Sequence, residues 1–255
     1  MKWDPWPYPR LVAHRGGGSL APENTLAAFR LGQELGYAAH EFDVKLSSDG
    51  VAMLLHDDTL ERTTSGKGRA ADFTWEELAR LDAGGWHSQP FRGERIASLE
   101  DVARLLQSKG TLAHIEIKPT PGYERATGES VARLAARLWK DVPVPPLFSS
   151  FSFEALMAAK EAAPHIPRGW LTGQIVPDDW ERAKALAAVS VHTNHKKLDP
   201  ANVARAHEAG YRVLVYTVND ADVAERLFRA GLDGLFTDNL REFALRFPDA
   251  IRAPA

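Results

Sequence analysis

The chain of 255 residues is long enough for one large domain or two small ones, and its 44% hydrophobic and 25% charged residues exclude a disordered, collagen-like or fibrous protein. Its 31 Lys and Arg against 34 Asp and Glu leave a net charge of −3, so no general basic field would draw it to nucleic acid or to an anionic membrane. Because cysteine is absent, disulfides, thiolate metal sites and a cysteine nucleophile are excluded as well.

Short apolar runs alternate with amphipathic stretches along most of the chain. Eight runs predict buried strands: Arg10–His14, His40–Val44, Leu112–Lys118, Pro146–Ser150, Arg168–Leu171, Val189–His192, Arg212–Thr217 and Gly234–Thr237. Seven stretches between them have helical spacing of apolar residues: Asn24–Leu35, Leu99–Ser108, Gly128–Trp139, Phe153–Ala162, Asp178–Ala187, Pro200–Ala209 and Ala221–Ala230. This alternation predicts an α/β fold, a (β/α)₈ TIM barrel, with a doubly wound open sheet as the alternative.

A ninth apolar run, Val51–His56, follows the second strand too closely for a parallel crossover. It is therefore predicted to return antiparallel, as the second strand of a hairpin. A turn centred between Ser48 and Asp49 would pair positions whose numbers sum to about 97. That register would set His56 opposite Glu41, close to the mouth of the barrel.

The stretch from Asp57 to Ala97 is polar, rich in glycine and punctuated by aromatic residues, and it is too long for an ordinary connection after a strand. It contains one short helical pattern, Thr74–Leu81. We expect one barrel domain over residues 1–255, with residues 57–97 inserted as a cap over the barrel mouth. A surface excursion without a role is the alternative.

The residues Met1–Arg10 lack the apolar core of a signal peptide. No apolar run approaches the roughly 18 residues that a membrane span requires. On these grounds we expect a cytoplasmic protein.

Charged residues stand two apart on two predicted strands, Glu41 with Asp43 and Glu116 with Lys118, so each pair points to one face. On the inner face of a barrel, three carboxylates would repel one another unless a cation lay between them. The oxygen ligands of Glu41, Asp43 and Glu116 therefore predict a divalent metal ion, Mg²⁺ or Ca²⁺, with Mn²⁺ as a third candidate. Salt-bridged surface strands are the alternative.

Two histidines, His14 and His56, end strands that are predicted to meet at the same mouth. Imidazoles titrate near neutral pH, so such a pair suits general acid and base catalysis. The planar guanidinium of Arg15 suits a phosphate group. Among the remaining histidines only His192, which ends a strand, is a further candidate for a role.

Ordered motifs along the chain resemble those of the glycerophosphodiester phosphodiesterase family. They are His14-Arg15-Gly16, Pro22-Glu23-Asn24-Thr25, Glu41-x-Asp43-Val44, His56-Asp57, Arg62-Thr63-Thr64, Glu116-Ile117-Lys118, Ser149-Ser150-Phe151, Tyr216-Thr217-Val218-Asn219 and Thr237-Asp238. The resemblance extends from Tyr8 to Phe247. It implies a TIM barrel of the phospholipase-C-like phosphodiesterase type, capped after the His-Asp motif, that hydrolyses glycerophosphodiesters to sn-glycerol 3-phosphate and an alcohol.

The same resemblance implies a role for each matching residue. The implied metal ligands are Glu41, Asp43 and Glu116, the implied catalytic pair is His14 and His56, and the implied phosphate contacts are Arg15 and Lys118. We expect His14 to act as the base and His56 as the acid; attack by water and attack by the glycerol 2-hydroxyl both remain open. Aromatic candidates for the substrate wall are Trp86, Phe151 and Tyr216, the last at a position where relatives often carry Trp.

Three alternatives to this function can be tested. A phospholipase D or sphingomyelinase-type lipid phosphodiesterase on the same barrel would be expected to show a secretion signal, disulfides or an apolar membrane face. A sugar isomerase or amide hydrolase would not need two histidines beside Arg15 and Lys118. A binding protein for glycerophosphodiesters would not need the histidines for catalysis. The expected partner is thus a small-molecule substrate, with no nucleic acid and no membrane, and the oligomeric state is open.

Overall fold

A computed structural model describes residues 5–254 of the chain, so part of the prediction about the N-terminal segment, residues 1–4, lies outside the described residues. The strands are β1 (Leu11–Ala13), β2 (Ala39–Leu46), β3 (Ala52–Leu54), β4 (Leu112–Ile117), β5 (Leu147–Ser150), β6 (Arg168–Thr172), β7 (Ser190–Asn194), β8 (Arg212–Tyr216) and β9 (Gly234–Thr237). All of them except β3 run parallel in one sheet, and β1 pairs with both β9 and β2, which closes the sheet. The predicted eight-stranded barrel is confirmed, and the open sheet is excluded.

The hairpin is antiparallel as predicted, but its register differs by one position. Val44 lies opposite Leu54, and continuing this register places His56 across from Phe42 instead of Glu41. The loop contains three residues, Ser48, Asp49 and Gly50, because the Ser47 N–H donates to the Val51 carbonyl; Gly50 takes a positive φ of 83°. A glycine in this conformation is typical of three-residue hairpin loops.

Helices of eight to fifteen residues follow most barrel strands, and two shorter helices occur. They are α1 (Leu26–Glu34), α2 (Trp75–Leu78), α3 (Leu99–Ser108), α4 (Glu124–Leu138), α5 (Phe153–Ala162), α6 (Pro177–Ala185), α7 (Ala201–Glu208), α8 (Ala221–Arg229) and α9 (Leu240–Arg246). The first begins two residues later than predicted because the Thr25 hydroxyl caps it by accepting the Ala28 N–H. The helix predicted over Gly128–Trp139 begins four residues earlier, and α9 was not predicted.

Side chains on β2 alternate between the two faces of the barrel wall. Phe42 points outward and packs edge-on against Phe29 of α1, with 5.4 Å between ring centroids. Its neighbours Glu41 and Asp43 point the other way, as the two-residue period of a strand requires. The outer face therefore carries the apolar packing between strands and helices, and the inner face is left for the charged pair.

The interior below the mouth is filled by aromatic and apolar side chains. Tyr8, Val12, Leu214 and Phe236 belong to this buried cluster, and the Tyr8 hydroxyl donates to the Pro145 carbonyl at 2.7 Å. The interior of the barrel below the mouth is thus a packed core.

Residues 57–97 form an excursion whose apolar residues Leu60, Leu78 and Ile96 cluster with Met53 and Leu55 of the hairpin. The predicted helix Thr74–Leu81 is only one turn long, with Thr74 as its N-cap in a capping box with Glu77. The excursion is attached to the barrel loops at several points. One is the His87 Nε2, which lies 3.1 Å from the Ser19 carbonyl oxygen, and another is the Glu94 carboxylate, which accepts the Ala27 N–H.

Within residues 5–254, no helix combines the length and apolar character that a membrane crossing would require.

Candidate active site

Three carboxylates lie side by side on two neighbouring strands at the barrel mouth. Asp43 of β2 is in register with Glu116 of β4, and Glu41 stands two residues before Asp43. Each residue offers an oxygen within 4.8 Å of the others, and Glu41 and Asp43 are almost inaccessible, at 5% and 1% exposure. The strand period thus brings together the three predicted metal ligands.

The electrostatics of these carboxylates favour a cation between them. Burial and the charge of Asp43 raise the pKa of Glu41 to about 8, and the same two causes raise that of Glu116 to about 7. Burial alone would also raise the pKa of Asp43, but the positive charge of Arg15 and two other cationic groups lowers it below its ordinary value. An oxygen-only donor set under mutual repulsion fits a hard divalent ion such as Mg²⁺ or Ca²⁺.

Asn24 fixes the orientation of Asp43. Its side-chain amide donates to the Asp43 carboxylate at 2.9 Å, and its amide oxygen accepts the Asp43 backbone N–H at 3.1 Å. The residue is buried and takes a positive φ of 61°, a conformation that asparagine adopts more readily than most residues. Asn24 belongs to one of the motifs that resemble the phosphodiesterase family, but no pattern in the sequence assigned it this contact.

His14 follows β1 and is held by a carboxylate from the far end of the chain. Its Nδ1 lies 2.6 Å from the Asp238 Oδ1, and its Nε2 lies 3.9 Å from the Glu41 carboxylate. Asn219 in turn holds Asp238, because its amide nitrogen donates to the carboxylate at 3.0 Å and its oxygen accepts the Asp238 N–H at 2.7 Å. This arrangement orients the Nε2 of His14 toward the three carboxylates.

Burial disfavours the protonated form of His14, but the Asp238 hydrogen bond and the Glu41 charge outweigh it and raise the pKa. The sequence analysis did not assign Asp238 and Asn219 as partners of this histidine. The signal that could have found them was their position in two motifs that resemble the phosphodiesterase family and that lie at the ends of barrel strands.

Arg15 lies between the carboxylate cluster and the loop that precedes α1. Its backbone N–H donates to the Glu41 carboxylate at 3.1 Å, and its Nη1 donates to Glu23 at 2.7 Å. Its Nε lies 3.6 Å from the Asp43 carboxylate and has no hydrogen-bond partner among the described residues. The left-handed backbone at Arg15, with φ of 50°, allows main chain and side chain to face the site together.

Lys118 supplies the second positive charge. Its Nζ donates to Glu116 at 3.1 Å and lies 3.9 Å from the Asp43 carboxylate. The ammonium group also lies 6.0 Å from the centre of the Phe151 ring, within reach of a cation–π contact. Lys118 and Arg15 thus approach Asp43 from different parts of the chain.

His56, at the end of the hairpin, is oriented in the same way as His14. Its Nδ1 lies 2.7 Å from the carboxylate of Asp57, the next residue. Arg62 holds that carboxylate through two N–H groups, at 2.6 and 2.9 Å. Burial lowers the pKa of His56 below its ordinary value, and the nearby Arg15 charge adds to this effect.

Two cavities meet at these groups. An inner cavity of about 220 Å³ is enclosed by barrel residues, and an outer one of about 530 Å³ opens toward solvent. Both are lined by His56, Glu116, Lys118 and Phe151. A ligand with two ends could therefore occupy both cavities with its centre beside the charged groups.

The aromatic candidates have different locations. Tyr216 lines the inner cavity, its hydroxyl donates to the Thr172 carbonyl at 2.9 Å, and its ring packs edge-on against Phe151. Trp86 borders neither cavity, because its indole N–H donates to the Ala83 carbonyl and its ring packs against His87. The structure therefore brings Phe151 and Tyr216 to the site and leaves Trp86 outside it.

His192 reaches the lower end of the inner cavity, where it is almost fully buried. Its Nε2 lies 2.9 Å from the Ser190 hydroxyl, and burial lowers its pKa to about 3. A neutral imidazole in this position is part of the packed floor of the cavity.

A (β/α)₈ barrel that gathers two carboxylate-oriented imidazoles, an acidic cluster and two cations at its mouth has the chemical groups of a phosphodiester-cleaving enzyme. The sequence model of the "Glycerophosphoryl diester phosphodiesterase family" matches residues 14–242. The chain therefore belongs to this family of enzymes.

Individual relatives agree with this assignment. The chain is 35% identical, over 90% of its length and 93% of the relative's, to a glycerophosphodiester phosphodiesterase of Caldanaerobacter subterraneus subsp. tengcongensis. Among solved structures it is similar to a phosphodiesterase of Oleispira antarctica in complex with the product sn-glycerol-3-phosphate, with 35% identity, a TM-score of 0.88, and 94% and 97% of the two chains covered. It is also similar to a glycerophosphodiester phosphodiesterase of Agrobacterium tumefaciens, with 27% identity, a TM-score of 0.78, and 93% and 99% covered.

Proposed function

We propose that this protein hydrolyses glycerophosphodiesters to sn-glycerol 3-phosphate and an alcohol, using a divalent metal ion and a pair of histidines. The observation that carries the proposal is that His14 and His56, each with its Nδ1 held by a carboxylate, line the same cavity as Glu41 and Glu116 of the acidic cluster. The product bound to the Oleispira antarctica structure supports the choice of a small-molecule glycerophosphodiester as substrate.

Glu41, Asp43 and Glu116 would hold the metal ion, which is Mg²⁺ or Ca²⁺ in this proposal, with Mn²⁺ as a third candidate. When bound, such an ion withdraws charge from a phosphate oxygen and stabilises the negative charge of the transition state. Asn24 keeps the Asp43 carboxylate in the orientation that this role requires.

Arg15 and Lys118 would neutralise the remaining phosphate charge. Both cations already lie within 4 Å of the Asp43 carboxylate, so they need little reorganisation to meet an anion at this point. A phosphodiester beside them would lie at the junction of the two cavities. Its glycerol end then fits the inner cavity beside Tyr216, and its alcohol end fits the larger outer cavity.

The two histidines would act through their Nε2 atoms, since their Nδ1 atoms are engaged by Asp238 and Asp57. We assign the base to His14 and the acid, which protonates the leaving alkoxide, to His56. Burial lowers the pKa of His14, but the Asp238 hydrogen bond and the Glu41 charge raise it by more, and a cation bound to Glu41 would reduce the second of these two effects.

We also propose that residues 57–97 cap the mouth of a single barrel domain that comprises residues 1–255. The support comes from contacts between this segment and the barrel loops. The Arg62 guanidinium binds Glu23, His87 contacts Ser19, and Glu94 accepts a hydrogen bond from the start of α1.

The test is a coupled assay for glycerol 3-phosphate released from sn-glycero-3-phosphocholine and from its ethanolamine and inositol analogues. Hydrolysis of sphingomyelin is followed in parallel by the release of choline or phosphocholine. We expect release from the water-soluble glycerophosphodiesters, loss after exhaustive chelation, and recovery with Mg²⁺, Ca²⁺ or Mn²⁺. Activity that survives chelation would contradict the metal site. Hydrolysis of sphingomyelin alone would replace the proposal with the lipid phosphodiesterase alternative.

An analogue that lacks the glycerol 2-hydroxyl distinguishes the two nucleophiles. Full turnover of this analogue would exclude attack by the neighbouring hydroxyl and leave water as the nucleophile.

A further inference from the structure

The guanidinium of Arg62 binds two carboxylates at once. Its Nε and Nη2 donate to Asp57 at 2.6 and 2.9 Å, and its Nη1 and Nη2 donate to Glu23 at 2.7 and 2.8 Å. Asp57 and Glu23 come from different parts of the chain, the hairpin end and the loop before α1. A single cation from residues 57–97 therefore joins two edges of the barrel mouth.

Each of these two carboxylates also holds a residue of the proposed site. The Asp57 Oδ1 lies 2.7 Å from the Nδ1 of His56, and the Glu23 Oε1 accepts the Nη1 of Arg15 at 2.7 Å. One continuous chain of charge-assisted hydrogen bonds thus leads from the proposed acid through Arg62 to a proposed phosphate contact. Hydrogen bonds between charged groups are about twice as strong as neutral ones, so this chain limits the movement of both ends.

The geometry requires a guanidinium. Its planar fork presents parallel N–H groups to both carboxylates, whereas the ammonium of lysine is a compact point charge on a flexible stem. The Asp57 and Glu23 side chains are only 28% and 14% exposed, so water would screen their mutual repulsion poorly if the cation were absent. Without Arg62, repulsion would push the two carboxylates apart, and each would displace the residue that it holds.

We infer that Arg62 is a positioning residue for the proposed reaction, which aligns the acid His56 through Asp57 and the phosphate contact Arg15 through Glu23. The inference rests on the proposed function, because it assigns Arg62 a role in that same site. It predicts two separable effects. Misplacement of Arg15 weakens phosphate stabilisation for every substrate, whereas misplacement of His56 matters only for a leaving group that must be protonated.

The experiment compares Arg62→Lys with the wild type on two substrates. One is sn-glycero-3-phosphocholine, whose alkoxide leaves poorly without a proton; the other is the p-nitrophenyl ester of glycerol 3-phosphate, whose leaving group needs none. We expect Arg62→Lys to lower kcat on the choline ester by about 10- to 100-fold, a typical cost for losing a group that orients a functional residue. The loss on the nitrophenyl ester should be several-fold smaller, with a much smaller change in KM and an unchanged unfolding temperature.

A matched control is Arg80→Ala. Arg80 lies in the same segment, but its side chain is 72% exposed and pairs with Glu76 away from both cavities. This variant should retain wild-type kcat on both substrates. If Arg62→Ala folds poorly, Arg62→Lys still carries the test. If Arg62→Ala folds, partial recovery of its kcat by millimolar guanidinium would support the positioning role.

Two further variants separate the arms of the network. Asp57→Asn should reproduce the part of the loss that depends on the leaving group, and Glu23→Gln should lower kcat equally on both substrates. If the wild type is active and Arg62→Lys has an unchanged kcat, the inference is overturned and the proposed function stands. The same holds if Arg62→Lys loses kcat equally on both esters and has a lower unfolding temperature. A wild type that releases glycerol 3-phosphate from neither ester would overturn the proposed function and the inference with it.

Discussion

The replacement Asp238→Asn removes one charge from the group that orients His14 while preserving its shape. The Asp238 backbone N–H still donates to Asn219, so the local backbone should not move. The new amide can keep its contact with Asn219 through its oxygen and then presents its NH₂ group to the His14 Nδ1. That nitrogen must become an acceptor, which places the ring proton on Nε2 and removes the lone pair that a base requires.

The rate should fall far more than the stability. General acid–base catalysis contributes about 10²- to 10⁴-fold, which corresponds to roughly 3 to 5.5 kcal/mol of transition-state stabilisation. The side chains of His14 and Asp238 are 17% and 33% exposed, so replacing the charged hydrogen bond with a neutral one should lower the free energy of unfolding by only about 1 kcal/mol. For a chain of this length that is a shift of about 2–4 °C in the unfolding temperature.

The assay measures kcat and KM from glycerol 3-phosphate release with saturating divalent metal, together with thermal unfolding of the same samples. Asp222→Asn is the matched control, because Asp222 is 71% exposed on α8 and pairs with Arg246 outside the cavities. A kcat for Asp238→Asn within threefold of the wild type would refute the claim that Asp238 sets the tautomer of a catalytic His14.

Three further outcomes are expected. His14→Ala and His56→Ala should each lower kcat by about 10²- to 10⁴-fold at unchanged fold, and losses of only severalfold would indicate structural roles. In metal-free protein the pKa values of Glu41 and Glu116 are raised from 4.5 to about 8 and about 7, so the folded protein holds more protons than the unfolded chain above pH 4.5. The free energy of unfolding should therefore decline as pH rises from 4.5 toward 8. We expect a lower unfolding temperature at pH 8 than at pH 6, and a smaller difference when Mg²⁺ is added. Gly128→Ala should destabilise the protein by about 1–3 kcal/mol in denaturant unfolding, since a Cβ there would clash with the backbone oxygen of Ala155 in α5, and a neutral result would contradict this close packing.

The strands and most helices follow from local sequence patterns. Short apolar runs such as Leu112–Ile117 predict buried strands, and caps such as Thr25 fix where helices begin. The register of the hairpin differs from the predicted one, because it depends on backbone conformation in the turn. Gly50 takes a positive φ in the three-residue loop, and His56 lies one position away from its predicted partner.

The residue types of the site were predictable from the sequence, but the hydrogen bonds and ring orientations around them were not. The two-residue spacing of Glu41 and Asp43, with Glu116 on another strand, already implied an acidic cluster at one face. Nothing in the sequence could show that Trp86 turns onto His87, away from the cavities, because ring orientation depends on packing in the inserted segment.

The sequence by itself determined the fold class, the oxygen-only donor set and the pair of histidines, because strand periodicity and residue chemistry are local properties. The absence of cysteine excluded thiol chemistry, and the near balance of charges excluded a general attraction to nucleic acid or anionic membranes. Only the tertiary structure decided which carboxylate orients which histidine, since Asp238 reaches His14 across 224 positions of sequence. Closure of the barrel brings the first and last strands together, and that long-range pairing places the two residues within hydrogen-bond distance.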